Sequence, residues 1–117
     1  MKITIVGRQM NVWDSTKEMA EKKLARLDKY FGSEASATVT FSCKRERDNV
    51  EITIHGANTI FRAEVDDISF QNAMDRCVEA IDRQIERTRH VLKKDQKKAN
   101  FISLILVKFS MKIPNLS

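Results

Sequence analysis

A single apolar stripe runs through residues 70–92 and constrains the fold more than any other feature of the chain. Its members lie three or four residues apart: Phe70, Met74, Cys77, Ile81, Ile85, Thr88 and Leu92. This spacing keeps every member on one side of an α-helix of about six turns. We therefore predict a long amphipathic helix that starts near Asp67–Ser69 and runs to about Lys94–Lys98, with a core along one face.

A second, shorter helix is predicted near the start of the chain. Its stripe also consists of residues three or four apart: Thr16, Ala20, Leu24, Leu27 and Phe31. The helix is expected to run from about Asp14 to Phe31. Asp14 or Ser15 is the expected N-terminal cap, and Gly32 stands where a C-terminal glycine cap is common.

Strands account for most of the other apolar positions. The β-branched run Lys2–Val6 predicts a first strand that ends at Gly7. Three later segments alternate apolar and polar residues, which is typical of strands with one buried face. They are Ala35–Cys43, Val50–His55 and Thr59–Asp66, joined by the turns Lys44–Asn49 and Gly56–Asn58. Short turns between successive strands predict an antiparallel meander.

The predicted order of elements is β-α-β-β-β-α, an α+β fold. A four-stranded sheet with two helices packed on one face satisfies every apolar stripe at once. The first strand would lie beside the meander, while the other face of the sheet would remain in contact with solvent. The expected arrangement is double-stranded-RNA-binding-domain-like.

Length and composition limit the class of protein. A chain of 117 residues with one Pro and three Gly is expected to form one domain. Cys43 and Cys77 are too few and too far apart for a disulfide framework or a zinc site. They are interpreted as small buried residues in a reducing compartment. No secretory signal and no apolar stretch of membrane-spanning length is found, so we expect a cytoplasmic protein.

Patterns typical of catalysis or cofactor binding are not found in the sequence. His55 and His90 are isolated, without a second ligand at metal spacing. There is no nucleophile–histidine arrangement with local support and no glycine-rich phosphate loop. We therefore expect a protein that is not an enzyme and that has no metal, no cofactor and no small-molecule substrate.

Positive charge is concentrated in Arg83–Lys98. This segment holds seven basic and two acidic residues, an excess of five, which equals the formal net charge of +5 of the whole chain. Such a local excess predicts a polyanionic partner, of which nucleic acid is the commonest.

The basic residues also follow the helical period. On the second helix, one set lies opposite the apolar stripe: Arg76, Arg83, Arg87, Lys94 and Lys98. An acidic set lies beside it: Asp75, Glu79, Asp82 and Glu86. Lys22, Arg26 and Lys29 repeat the basic row on the first helix. Two parallel basic rows suit RNA phosphates, although a solvated surface with ion pairs is the alternative.

Aromatic residues flank the first helix. Trp13 precedes it and Tyr30 ends it. Because neither is interleaved with basic residues as in a platform for single-stranded nucleic acid, packing is favoured over base stacking.

Several segments, taken in order, resemble the ribosome hibernation promoting factor family over residues 1–98. They are MKITIVGRQMNV, AEKKLARLDKYF, VEITIHGANTIFRAEVDDISFQNAMD and AIDRQIERTRHVLKK. The resemblance implies a factor that binds the small ribosomal subunit in the channel for messenger RNA and transfer RNAs. It would inhibit translation in stationary phase or stress. Two departures stand out: Trp13 and Asp14 replace a common Thr-Pro pair, and Thr88 takes a place that is often aromatic.

The resemblance and the basic rows on the two helices together predict which residues would contact ribosomal RNA. On the first helix they are Lys22, Lys23, Arg26 and Lys29. On the second helix they are Arg76, Arg83, Arg87, Arg89, Lys93 and Lys94. Arg8, in the loop after the first strand, is a weaker candidate. Lys23 lies nearer the apolar stripe than the others and is expected to extend from the edge of the core.

A general module for double-stranded or structured RNA is the alternative function, since the elements from Asp14 onward have the order of such domains. Those domains carry a basic cluster at the start of their last helix. Here that start, Asp66–Ser69, is acidic, which counts against the alternative.

The tail, residues 99–117, is interpreted separately. Phe101–Val107 is an apolar run with one polar interruption and has no partner in the predicted fold. Three interpretations remain open: an added strand, a contact for self-association, or a remnant of another segment. The longer members of the family continue through a linker into a second domain that dimerises ribosomes, and the tail faintly resembles a truncated or altered start of that domain.

Overall fold

The computed structural model describes residues 1–56 and 58–99, except for the side chains of residues 89–99. The elements are β1 (Lys2–Gly7), α1 (Asp14–Leu24), a 3₁₀-helix (Ala25–Tyr30), β2 (Ser36–Lys44), β3 (Arg47–Gly56), β4 (Thr59–Asp67) and α2 (Phe70–Ala99). This is the predicted order. The segment Phe101–Val107 lies outside the described residues, so its role stays a prediction.

The four strands form one sheet in the order β1-β2-β3-β4. β1 pairs with β2 in parallel, with Lys2 opposite Ser36. The other two pairs are antiparallel, which confirms the predicted meander and the place of the first strand beside it. Gly56 is required at the end of β3, because a Cβ atom there would lie 2.6 Å from the Phe31 ring.

The core lies between the helices and one face of the sheet. The strands contribute Ala37, Val39, Phe41, Val50, Ile52, Ile54 and Phe61, and the helical segments contribute Ala20, Leu24, Leu27, Ala73, Met74, Cys77, Val78, Ile81 and Ile85. Cys77 donates a hydrogen bond from Sγ to the Ala63 carbonyl at 3.2 Å. The prediction that both helices cover the same face is therefore confirmed.

The first helix differs from its prediction in its ends. The α-helix stops at Leu24 and tightens into the 3₁₀-helix, a common change in a last turn. Leu27 remains buried because three residues complete one turn of the tighter helix. The N-terminal cap is Trp13, without a side-chain hydrogen bond, so the capping prediction was wrong. No glycine has a positive φ, so Gly32 is not a left-handed cap.

The start of α2 has the side-chain cap that α1 lacks. The Ser69 hydroxyl accepts a hydrogen bond from the Asn72 N–H at 3.1 Å, and the Ser69 carbonyl accepts one from the Ala73 N–H at 3.0 Å. This satisfies backbone donors that the first helical turn leaves unpaired. Over the part of the chain that is described, no helix is long and apolar enough to cross a membrane.

One end of the open sheet face departs from the expected solvated surface. Ser42 and Asn49 are buried there, and the Ser42 hydroxyl donates to Asn49 Oδ1 at 3.2 Å. Asn49 Nδ2 in turn donates to Glu64 Oε2 at 3.0 Å. Cys43 is exposed, which contradicts its predicted burial, because it stands next to the charged turn that ends β2.

Candidate nucleic-acid interface

Two ion pairs join α1 and its 3₁₀ extension to α2. Lys23 Nζ lies 2.6 Å from Asp75 Oδ1, and Arg26 Nη2 lies 3.1 Å from Asp82 Oδ2. Asp75 and Asp82 are seven residues apart, so they share one side of α2. That side faces α1. The predicted acidic row therefore neutralises part of the first basic row.

Tyr30 completes this contact between the helices. Its hydroxyl lies 2.6 Å from Asp82 Oδ1 and 2.8 Å from Glu86 Oε2. The bond to Asp82, burial and the bond to Glu86 raise the pKa of Tyr30 above its ordinary value. The same bond, together with Arg26, lowers the pKa of Asp82. Asp82 is therefore charged at neutral pH.

The basic row of α2 points away from α1. Arg76, Arg83 and Arg87 each follow a residue of the acidic row by one position, which rotates them by about 100° around the helix axis. All three are exposed. Arg76 Nη1 lies 2.9 Å from Asp67 Oδ2, and Arg83 Nη1 lies 3.7 Å from Glu79 Oε1. For Arg87 no ion pair occurs among the described residues.

The basic residues of α1 and its extension divide into two groups. The Lys23 side chain is only 24% exposed and is held by Asp75, which agrees with its expected place at the edge of the core. Lys22 and Lys29 are exposed. Lys29 Nζ lies 5.2 Å from the centre of the Tyr30 ring, a distance at which the ring attracts a cation. Lys22 and Lys29 are thus more available to a ligand than Lys23.

Arg8 does not lie with the helical rows. Its Nη2 lies 3.9 Å from Glu51 Oε1, and Glu51 is on the open face of the sheet, where it also pairs with Arg62. Arg89, Lys93 and Lys94 fall within α2, but their side chains lie outside the described residues. They stay predictions from the sequence.

A further basic surface lies at the tip of the β2–β3 hairpin and was not among the predicted contacts. Lys44 pairs with Glu64 at 3.1 Å, while Arg45 and Arg47 are exposed. Arg45 and Glu46 have φ values of 53° and 66°, so the two-residue turn holds two non-glycine residues in the left-handed region. The charged sequence KRER was the available signal, and it was interpreted only as a turn.

Trp13 does not pack as predicted. It is 76% exposed, because it precedes the first turn of α1 and its side chain does not join the core. Tyr30 does pack against the core, as expected. Trp13 is therefore a surface aromatic residue near the start of α1.

Metal binding has no support in the described part of the chain. No group of three or more His, Cys, Asp or Glu side chains there is arranged to hold an ion. His55 is exposed on β3. What the surface offers instead is a row of guanidinium groups that can form charge-assisted hydrogen bonds with phosphate oxygens.

Comparison with known proteins agrees with this fold. Residues 3–93 match the family described as Sigma 54 modulation protein / S30EA ribosomal protein. A ribosome hibernation promoting factor from Azotobacter vinelandii is 30% identical over 73% of this chain and 79% of its own length. A ribosome hibernation promotion factor from Lactococcus lactis is 33% identical over 74% of this chain, but only 49% of its own length.

Comparison with a solved structure also agrees with this fold. The N-terminal domain of Thermus thermophilus Protein Y superposes with a TM-score of 0.69 and 32% identity, covering 75% of this chain and 99% of that one. The family match covers more than half of the sequence and extends from β1 into α2. The chain therefore belongs to the Sigma 54 modulation protein / S30EA ribosomal protein family, the family of the ribosome hibernation promoting factors.

Proposed function

We propose that this chain is a cytoplasmic ribosome hibernation factor whose residues 1–98 bind the small ribosomal subunit in the messenger RNA and transfer RNA channel. Occupation of that channel would inhibit translation in stationary phase or stress. The observation that carries the proposal is the exposed row Arg76, Arg83 and Arg87, which is rotated away from the acidic side of α2.

The division of charge on α2 supports RNA phosphate as the ligand. Asp75 and Asp82 pair with Lys23 and Arg26, so cations of α1 and its extension offset part of the negative charge beside the basic row. The contact of Arg83 with Glu79 is exposed to solvent on both sides, whereas the Asp67 carboxylate that pairs with Arg76 is only 14% exposed. Exposed ion pairs are worth about 0–1 kcal/mol, so a phosphate can replace the contact of Arg83 at low cost.

A general duplex-RNA module is the second candidate, because the order of elements is compatible with it. The start of α2 argues against it. Asp67 precedes the helix there, and its pKa lies below the ordinary value because Arg76 and the Ile68 N–H donate to its carboxylate. Asp66 and Asp67 thus stand where domains that bind duplex RNA carry a basic cluster.

Cosedimentation with purified small subunits tests the proposal. Binding should be strong at about 50 mM salt and should weaken by about 40-fold at 200 mM if three phosphate contacts are lost to counterions. A plain RNA duplex in excess should not compete. Absence of binding at low salt would refute the ribosomal proposal, and efficient competition by the duplex would favour the general RNA module.

Self-association through Phe101–Val107 is a separate proposal. The run contains six apolar residues and no charge, which suits a buried contact. Sedimentation equilibrium of the full chain and of a Leu104→Lys variant would detect it. Equal monomeric masses would show that the run does not associate.

A further inference from the structure

The two edge strands of the sheet, β1 and β4, differ in whether their outward main-chain groups are covered. On β4, the side-chain amide of Gln84 from α2 forms hydrogen bonds with the main chain of Arg62. It accepts from the Arg62 N–H at 3.3 Å and donates to the Arg62 carbonyl at 2.7 Å. A side-chain amide thus takes the place that another strand would occupy. No equivalent contact covers the outer edge of β1 within residues 1–56 and 58–99.

The unpaired groups of β1 follow from its pairing with β2. The N–H of Lys2 donates to the Ala35 carbonyl at 2.9 Å, and the N–H of Arg8 donates to the Phe41 carbonyl at 2.8 Å. Along a strand in a parallel pair, alternate residues face the partner. Even-numbered residues therefore face β2, and the N–H and C=O groups of Ile3 and Ile5 point outward.

The composition of β1 does little to discourage another strand from pairing there. KITIVG contains no Pro and has no charged residue between Lys2 and Gly7. Ile3 and Ile5 pack against the margin of the core, and Val6 is 41% exposed on the open face. An open, β-branched and partly apolar edge is a template for β-strand addition.

We propose that the outer edge of β1 accepts Phe101–Val107 of a second copy of this chain as a fifth strand. The run has seven residues and β1 has six, so their lengths match. Alternate side chains of the added strand would extend the core beside Ile3 and Ile5 and cover Val6 on the other face. The idea does not depend on ribosome binding.

The length of α2 selects a second copy rather than the same chain. Gln84 lies beside Arg62. Arg62 is three residues, or about 10 Å, from Thr59, the first residue of β4. From Gln84 the helix continues to Ala99, about 22 Å at 1.5 Å per residue. The helix end thus lies about 12 Å past the sheet.

The distance across the sheet makes an intramolecular contact harder still. α2 lies over β3 and β4, and three strand spacings separate β4 from β1, about 14 Å. Only Asn100 lies between Ala99 and the apolar run. Most of Phe101–Val107 would be needed to span about 12 Å beyond the sheet and about 14 Å across it before the chain reached Ile3. A second copy can dock without this limit, and two copies can exchange their runs symmetrically.

Sedimentation equilibrium on full-length variants tests the edge. Val6→Lys places a charge on the edge strand and should weaken dimerisation at least tenfold. Ile60→Lys is the matched control, since Ile60 is also an exposed β-branched residue, 61% exposed, on the opposite edge strand β4. It should leave the dimer intact. A monomeric wild-type chain at about 100 µM, or equal effects of the two substitutions, would overturn the proposal.

Amide hydrogen exchange provides the second measurement. The N–H groups of Ile3 and Ile5 should be protected in the wild-type dimer and exposed in Leu104→Lys, while the Arg62 N–H should be unchanged. A dimer in which Ile3 and Ile5 exchange rapidly would place the contact elsewhere. A monomer in which they are protected would assign the edge to the run of the same chain. Either result refutes the second copy as the occupant.

Discussion

Gln84 on α2 forms two hydrogen bonds with the main chain of Arg62 on β4, at 2.7 and 3.3 Å. The contact joins the long helix to the β4 edge of the sheet at one defined position.

Replacing Gln84 should measurably destabilise the fold. We expect Gln84→Ala to lower the free energy of unfolding by about 1 kcal/mol, because two hydrogen bonds to backbone are exchanged for water. Gln71→Ala is the control, since Gln71 is an exposed glutamine on the same helix. Urea denaturation of both variants measures the difference. Identical midpoints would show that the contact with Arg62 contributes nothing.

Charge reversal on the basic row should separate binding from stability. We expect Arg83→Glu with Arg87→Glu to abolish binding to small subunits while the thermal midpoint changes little, since exposed substitutions usually cost less than about 0.5 kcal/mol. Lys2→Glu with Lys17→Glu makes the same change in net charge at exposed positions outside the row. If the two double variants bind equally well, the row on α2 is not the interface.

Stability should fall in acid partly through Asp82. Its pKa is lower in the folded chain than the ordinary 3.8, because Tyr30 donates a hydrogen bond and Arg26 lies beside it. Such a carboxyl stabilises the fold above its unfolded pKa, and this contribution is lost as the pH falls through the folded pKa. Asp82→Asn should therefore flatten the decline below about pH 4.

Denaturation midpoints measured at several pH values would reveal that change. Asp28→Asn removes an exposed carboxylate from the 3₁₀-helix that adjoins α1 and serves as the control. An undiminished acid decline in Asp82→Asn would mean that the contact with Tyr30 and Arg26 has no energetic role.

Ser69, which caps the start of α2, should contribute to the stability of the fold. Ser69→Ala removes the acceptor for the Asn72 N–H and should lower the free energy of unfolding by about 1 kcal/mol. Ser69→Asp keeps an acceptor at this position and should retain most of that stability. Ser33→Ala, at an exposed position before β2, should have little effect. Thermal unfolding followed by circular dichroism distinguishes these cases, and equal effects of the two alanine substitutions would contradict a capping role.

Trp13 should be dispensable for folding. Because it is 76% exposed, Trp13→Ala is expected to change the free energy of unfolding by less than about 0.5 kcal/mol. A loss above about 2 kcal/mol, of the size typical for a buried aromatic residue, would show that the side chain is packed. The same variant shows whether Trp13 contributes to ribosome binding, which the exposed ring allows.

Periodicity alone identified the architecture. The stripe from Phe70 to Leu92 predicted α2, and the alternation in Ala35–Cys43 predicted the strand β2 apart from its end. Both patterns depend on local geometry, because helices and strands repeat side-chain directions every 3.6 and 2 residues. The faces that must be buried could therefore be assigned before any partner was known.

The tertiary structure decided which partner each face meets. Asp75 and Asp82 formed an acidic row in the sequence, but only the packing of α1 against α2 turned that row toward Lys23 and Arg26. Likewise, the sequence does not indicate that Gln84 reaches Arg62. These contacts join residues more than 20 positions apart, and local periodicity carries no information about which distant surfaces meet. The pattern predicted the basic row on α2, and the fold determined that Asp75 and Asp82 beside it pair with Lys23 and Arg26.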